Sequence, residues 1–477
     1  MNTTNPSIKT ASKVALAAIA ALLVITIIFF KERALFADSA FAIFNIINDK
    51  SIYIINQRYG SLIARVLPYL QVELHSSIKA IVMGYAISST LFLLIVAALT
   101  VYYYKLYHFA ILIAFYCFLI VSDSFYMLAD THVGIGWMFL FFATTIRLGY
   151  KQVNLIVLSI PFILLAFLTV TTHFIVIIPT IFLWVYLILD KDMWPFSAKK
   201  TIVLSGLLVI ALLSKFLLTA DKSYDNHLLH GVTHLSIQDI IDSFSCPTVK
   251  IFYYRCIVNY WVVIILFVAG NIYLALARKK LLLAWSVMSV AGYISLMGIT
   301  YAGFKDDFTL CHIELEWQCL GLIAATPFVF SFLPKIKPAA SALVLSAIFI
   351  VRFVYIGHSI SALEYRYQYS ERIMAQMRKK GITKLALYED AHIRQLYQID
   401  WAVGHESLIA SAMSEDKQQL SFFFITWDRK DIVETLKAPR VFWNGFNIKP
   451  PWEINHEYFN PDTTHGYQVM MADDLFR

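Results

Sequence analysis

Long apolar runs constrain this chain of 477 residues more than any other feature. They occupy about residues 14–30, 80–104, 106–122, 133–147, 153–171, 174–189, 201–218, 257–277, 281–301, 318–333 and 339–356. Each lies near the roughly 20 residues a helix needs to cross a bilayer, which gives about eleven spans. With 59% hydrophobic and 15% charged residues, a single water-soluble core is excluded and the bilayer is the solvent. The net charge of +7 does not mark a nucleic-acid binder, because the Lys and Arg residues sit in short runs between apolar segments instead of clustering in a groove.

Those cationic runs set an orientation. Alternate connections read YYYKLYH, RLGYKQ, DKDMWPFSAKK, ARKK and PKIKP, while the others carry DSFYMLADTH, TTH, the long 219–256 loop and YAGFKDDFTLCHIELEWQ. By the positive-inside rule the first set and the N-terminus are cytoplasmic. A first external loop at 31–79 and everything after Val354 then lie outside, the expected place being a bacterial cytoplasmic membrane with a periplasmic C-terminal part. The run Val14–Phe30 reads as a signal peptide or as an uncleaved anchor. The anchor is favoured, since the run exceeds the usual apolar core of about 7–15 residues and Lys31, Glu32 and Arg33 precede any cleavage-like site.

The expected fold is therefore an all-α polytopic membrane protein, residues 1–356, followed by a small α/β extracytoplasmic domain, 357–477. In that second part Ser361–Arg378, His405–Met413 and DIVETLK read as helices, and KLALYED, LSFFFITW and RVFWNGF as strands. Such alternation suggests an α/β unit. No Gly-rich phosphate loop opens any of its helices. Five cysteines without a C-x-x-C are too few for a disulfide framework or a zinc site. Cys117 falls in a span; Cys246, Cys256, Cys311 and Cys319 fall in or beside outer loops, where an oxidising compartment permits one or two bridges.

Lys31–Leu70 is too polar to cross a bilayer and too apolar to float free, a mixture suited to the membrane surface. Span interiors are nearly free of ionisable residues; Arg352, near the outer end of the last span, is expected to reach the headgroups. Carrier-type sites need charges or broken helices at mid-depth, and none is evident. The acids and histidines gather at one depth instead: Asp38; Asp123, Asp130 and His132; His173; then Asp306, Asp307, His312, Glu314 and Glu316. An isolated outer acid is ordinarily a solvated charge. Asp38 stands apart because it closely follows the first span among apolar neighbours, where desolvation raises basicity. His173, in a short turn, reads as structural. Glu314 and Glu316, two apart, do not share a helix face, so one is expected to face the cavity. Asp306 and Asp307 lack further ligands for a cation, and no cofactor or metal is expected.

The layout, with FADSAFAIFNIIN, QRYGSLIARVLPYL, HIELEWQ and AVGHESLIASA, resembles the GT-C superfamily of polyprenyl-sugar-dependent glycosyltransferases. That superfamily includes protein O-mannosyltransferases, lipid A aminoarabinose transferases and GT-C-like membrane proteins of Bacteroidetes. The resemblance implies a first-loop acid as catalytic base or its organiser; Asp38 fits by position, with Glu32 as a substitute. FADSAF carries one acid where some relatives have two, and the WWD-type acceptor motif is absent, which argues against peptide N-glycosylation. The implied reaction is inverting transfer from a polyprenyl-phosphate-linked sugar to a lipid or glycan acceptor. Arg58 and Lys305, with Arg255 behind them, would meet the phosphate; Asp130, His132 and one of the glutamates would hold sugar hydroxyls; and Asp123, His173, Asp306 and His312 complete the candidate substrate-binding set. The competing expectations are a polyprenyl-linked glycan transporter, a glycan polymerase or ligase, and an inactive scaffold.

Overall fold

A computed structural model describes residues 5–126, 128–219, 235–302, 309–397, 399–414, 419–426, 430–439, 441–443, 448–449 and 453–477. The helices begin where polar caps meet apolar runs. Helix α1 (Pro6–Ile28) has Asn5 accepting from the Ser7 and Ile8 amides with Pro6 in the first turn. Two short helices follow, α2 (Phe30–Ala34) and α3 (Asp38–Asp49), then α4 (Leu62–Glu73). Ser77 caps α5 (Ile78–Ala98), which continues as a π-helical turn, Leu99–Tyr103. The bundle goes on through α6 (Tyr107–Phe118), α7 (Asp130–Tyr150), α8 (Leu155–Val170), α9 (Ile177–Leu189) and α10 (Ala198–Thr219). Next come α11 (Ile237–Ser243), α12 (Pro247–Val258), α13 (Trp261–Leu276), α14 (Lys280–Thr300) and α15 (Thr309–Pro327), the last extended by a π turn at Phe328–Phe332.

Six of these stretches among the described residues are long and apolar enough to cross a membrane: Pro6–Ile28, Ile78–Tyr103, Asp130–Tyr150, Lys280–Thr300, Glu314–Lys335 and Pro338–Lys380. Ile237–Val258 and Trp261–Leu276, bent by 85° at their junction, make a seventh if counted as one span. Tyr107–Phe118, Leu155–Val170 and Phe174–Leu189 are apolar but shorter. The chain is thus a multi-pass membrane protein.

Helix α16 (Pro338–Lys380) is 43 residues long, about 65 Å at 1.5 Å per residue. It carries the last apolar run and the expected separate helix at 361–378 as one rod, so residue 357 falls inside a continuous helix. Gly381, with φ of 67°, ends it in the left-handed conformation that glycine adopts freely.

Beyond α16, β1 (Lys384–Tyr388) is followed by α17 (Ala391–Leu396), α18 (Val403–Met413), β2 (Ser421–Ile425) and α19 (Lys430–Leu436). Then come β3 (Phe442–Trp443), β4 (Ile448–Lys449), β5 (Gln468–Met471) and α20 (Ala472–Phe476). The order β2-β1-β5 is parallel throughout, with Lys384 opposite Ser421 and Leu385 opposite Gln468, while β3 and β4 pair antiparallel. Parallel strands are covered on both faces, and β2 is accordingly buried at every position.

Two large cores dominate the described residues. One fills the helical bundle; the other joins Ile43, Phe44 and Ile47 of α3 to Leu385, Leu408 and Phe422 of the C-terminal part. Polar clasps reinforce that second core: Asn455 donates to the Ile47 carbonyl at 2.8 Å, Tyr458 to the Val72 carbonyl at 3.0 Å, and Lys50 meets Glu457 at 2.6 Å. The stretch between the first two spans and the C-terminal sheet therefore fold as one body at one end of the bundle. At the other end Asn5 donates to the Pro334 carbonyl and Ser341 to the Ser7 carbonyl.

Two local expectations are corrected. Arg352 does not reach the headgroups: it is fully buried and donates to the carbonyls of Phe118 at 2.8 Å, Val121 at 2.6 Å and Asn259, closing two helix ends that lack their own partners. Cys117, Cys246, Cys256 and Cys319 are free thiols, so no bridge forms among them, and Cys319 is buried within α15. The side chain of Cys311 lies outside the described residues.

Candidate functional site

Asp38 is the first residue of α3 and is exposed to solvent. The expectation that a dry environment raises its basicity finds no burial to act through. What distinguishes the position is the backbone leading into it. Ala37 has φ of 42° and ψ of −117°, a region that residues with a Cβ rarely occupy and that costs of order 1–3 kcal/mol unless the surroundings impose it.

The surroundings are specific. The Ala37 amide donates to Oε1 of Glu406 at 2.9 Å, and Nη2 of Arg366 lies 2.8 Å from Oε2 of the same carboxylate. Arg366 also donates to the carbonyls of Leu35 and Ile399 and lies over the rings of Phe36 and Tyr397. Both charged side chains are buried, so each is held by the other. Burial pushes the Glu406 carboxyl above its ordinary range, against the opposing pull of Arg366. Helix α18, which carries Glu406, and α16, which carries Arg366, thus fix the turn that presents Asp38. Sequence reasoning missed both residues in this role; the only signal was Glu406 within AVGHESLIASA. Glu32, in α2, is half-buried, and burial raises its carboxyl too.

Beside this turn lies a second charged group. Asp130, the first residue of α7, receives Nη2 of Arg65 at 3.0 and 3.3 Å and Nη1 of Arg58 at 3.5 Å. Arg65 also donates to the Tyr53 carbonyl. Gly60 lets this segment approach: a Cβ there would collide with the Leu168 carbonyl and Thr172, and the Gly60 carbonyl accepts from the Trp137 indole at 2.9 Å. Phe41 of α3 packs edge-on against the Tyr53 ring, centroids 5.8 Å apart, and Tyr53 also gives Arg65 its carbonyl partner, so the helix that Asp38 begins and the arginine cluster meet through Tyr53.

The other expected residues divide between roles. His132 follows Asp130 by two, about 200° around a helix, and faces the opposite way. Its Nδ1 meets the Tyr116 hydroxyl at 2.7 Å beside a cavity of about 30 Å³, which Arg33, Ser124 and Gln318 also line. Glu314 and Glu316 are both buried, so neither is the solvated member of a pair. Glu314 accepts from the Ser122 amide and hydroxyl and from the Ser124 amide, capping the 122–126 turn. Glu316 lies 3.7 Å from Nε2 of His173, whose Nδ1 accepts from the Ile175 amide at 3.3 Å. Arg255 is half-buried in the last turn of α12, where its carbonyl accepts from Asn259 and Tyr260. Lys305, Asp306 and Asp307 lie outside the described residues, as do the side chains of Asp123 and His312. Among the described residues no group of three or more His, Cys, Asp and Glu side chains is placed to hold a metal ion.

The structure therefore brings together a solvent-facing carboxylate on a clamped turn and two arginines gathered by one aspartate. A carboxylate so placed can accept a proton from an incoming hydroxyl or amine, and a planar guanidinium can make two bonds to a phosphate. No protein-family model, no curated protein and no solved structure matches this chain.

Proposed function

We propose that the protein is an inverting glycosyltransferase that moves a sugar from a polyprenyl-phosphate donor to a lipid or glycan acceptor at the outer face of a bacterial cytoplasmic membrane. In this reading about eleven spans cross the bilayer, the N-terminus and the cationic turns are cytoplasmic, and residues 31–79 and 357–477 face the periplasm. One observation carries the reading: the strained Ala37 turn, clamped by Glu406 and Arg366, holds an exposed Asp38 at the start of α3, which packs through Phe41 and Tyr53 against the Arg58–Asp130–Arg65 group.

The acceptor oxygen or nitrogen attacks the anomeric carbon as the bond to the phosphate oxygen breaks. Asp38 takes the acceptor proton, and polyprenyl phosphate leaves with the bonding pair. Positive charge is needed where the leaving phosphate gains charge, and Arg58, at the outer edge of the arginine pair, supplies it. Arg65, more deeply buried, orients Asp130, which in turn holds Arg58. A weakly basic leaving group needs no strong general acid.

The test is incubation of the purified full-length protein with labelled polyprenyl-phosphate sugar. Transfer of label to acceptor in the native protein, lost in Asp38→Asn with an unchanged melting curve, supports the reading. Near-native turnover in Asp38→Asn removes it, movement of the lipid without bond cleavage points to a transporter, and neither outcome leaves a scaffold.

A further inference from the structure

A cavity of about 560 Å³ opens at the end of the bundle where α1 begins, roughly 35 Å of helix away from the Asp38 turn. That volume is within the range of small-molecule sites. One π-helical turn borders it and the other closely precedes a lining residue. Phe328–Phe332 supplies Phe330 and Ser331 to the wall, and Leu99–Tyr103 ends two residues before Lys105, which lines the cavity with φ of 58°. Such turns widen a helix locally and concentrate at functional sites.

The lining has a definite electrostatic sense. Asp190 is met by Lys279 at 3.4 Å, which closes that pair upon itself. Lys105 and Lys335 have no hydrogen bond or ion pair to another described residue, and Asp192 is the remaining acid. The His108 ring stacks on Phe330 with centroids 4.8 Å apart and planes 4° from parallel, and its nitrogens have no hydrogen-bond partner among the described residues. The Tyr273 hydroxyl is likewise available to the cavity. Two ammonium groups, an imidazole and a phenol thus line one cavity, with one exposed carboxylate outside the Asp190–Lys279 pair.

We propose that this cavity binds a phosphate group, carried either by a membrane lipid headgroup or by a small soluble phosphoester. Lys105 and Lys335 contact the anionic oxygens at the mouth, and His108 and Tyr273 reach the phosphate or its ester substituent from within. The site is independent of the Asp38 chemistry, so Asp38→Asn keeps it.

The experiment is calorimetric titration of the full-length protein in a neutral detergent. The probes are dihexanoyl phosphatidic acid, glycerol 3-phosphate, inorganic phosphate and, as a neutral headgroup, dihexanoyl phosphatidylcholine. Saturable binding of phosphatidic acid alone assigns the site to a lipid headgroup; binding of the soluble phosphates as well assigns it to the phosphate group whatever carries it. In either case Lys105→Glu combined with Lys335→Glu weakens binding at least tenfold. Lys105→Gln with Lys335→Gln, checked by its melting curve, gives the same loss without charge reversal. Absence of saturable binding by every phosphate probe overturns the proposal. Equal affinity for phosphatidylcholine, or native affinity in the folded double-Gln variant, also overturns it.

Discussion

Replacing Glu406 by Gln removes one charge from a pair closed to water. Nη2 of Arg366 lies 2.8 Å from Oε2 and 3.0 Å from Oε1. At an effective dielectric constant of about 20, unit charges about 3 Å apart attract by about 5 kcal/mol. Desolvation offsets part of this, as the raised Glu406 carboxyl records. What Gln leaves behind is a buried guanidinium without its counter-charge, which costs about 3–5 kcal/mol. Gln retains an oxygen for the Ala37 amide, but a neutral acceptor makes a bond about half as strong. The strained turn is then held less firmly. In the full-length protein in detergent, hydrogen exchange across residues 35–39 is expected to accelerate about 100-fold or more, since each 1.4 kcal/mol is about tenfold. Adding Arg366→Met removes the stranded charge and should recover about 0.5–3 kcal/mol. Exchange within about threefold of native in Glu406→Gln would refute the clamp. A double variant no better than the sum of the two singles would refute it equally.

Ala37→Gly relieves the conformation at φ 42° and is expected to hold or raise stability by about 1 kcal/mol, whereas Ala37→Val lowers it; chemical denaturation ranks the three. Arg352→Met leaves the carbonyls of Phe118, Val121 and Asn259 without their donor and should cost about 3 kcal/mol or more, read from the unfolding midpoint; an unchanged midpoint sinks this account. Glu389, pushed up to about 7 by burial and by Asp400 beside it, is a pH-dependent element outside the spans. A carboxyl raised in the folded state contributes stability that is full below its ordinary 4.5 and is lost as pH rises through about 7. Melting temperature should therefore fall between pH 5 and pH 8 by more in the native protein than in Glu389→Gln; equal falls remove the assignment.

The helical class of the chain was legible because an apolar run in a bilayer has to satisfy its own backbone, and a helix does so locally. Pro338 and Gly381 likewise mark the true ends of α16. The change of composition near residue 357 does not mark a break in secondary structure, because one helix runs on as its side chains turn polar. The opposite facing of Asp130 and His132 follows from their spacing once α7 is started at Asp130 instead of at the first apolar residue. Arg352 and Glu406 were not legible, since their partners lie 93 to 234 and 40 to 369 positions away and include backbone groups that no side-chain pattern displays. That difference bears on function. At the Asp38 end, Glu314, Glu316, Arg352, Arg366 and Glu406 are all buried, and hydrogen bonds or ion pairs to protein groups account for them. Asp38 is exposed on the turn that this buried network clamps, so burial separates it from the charges the fold encloses, a property the sequence does not carry.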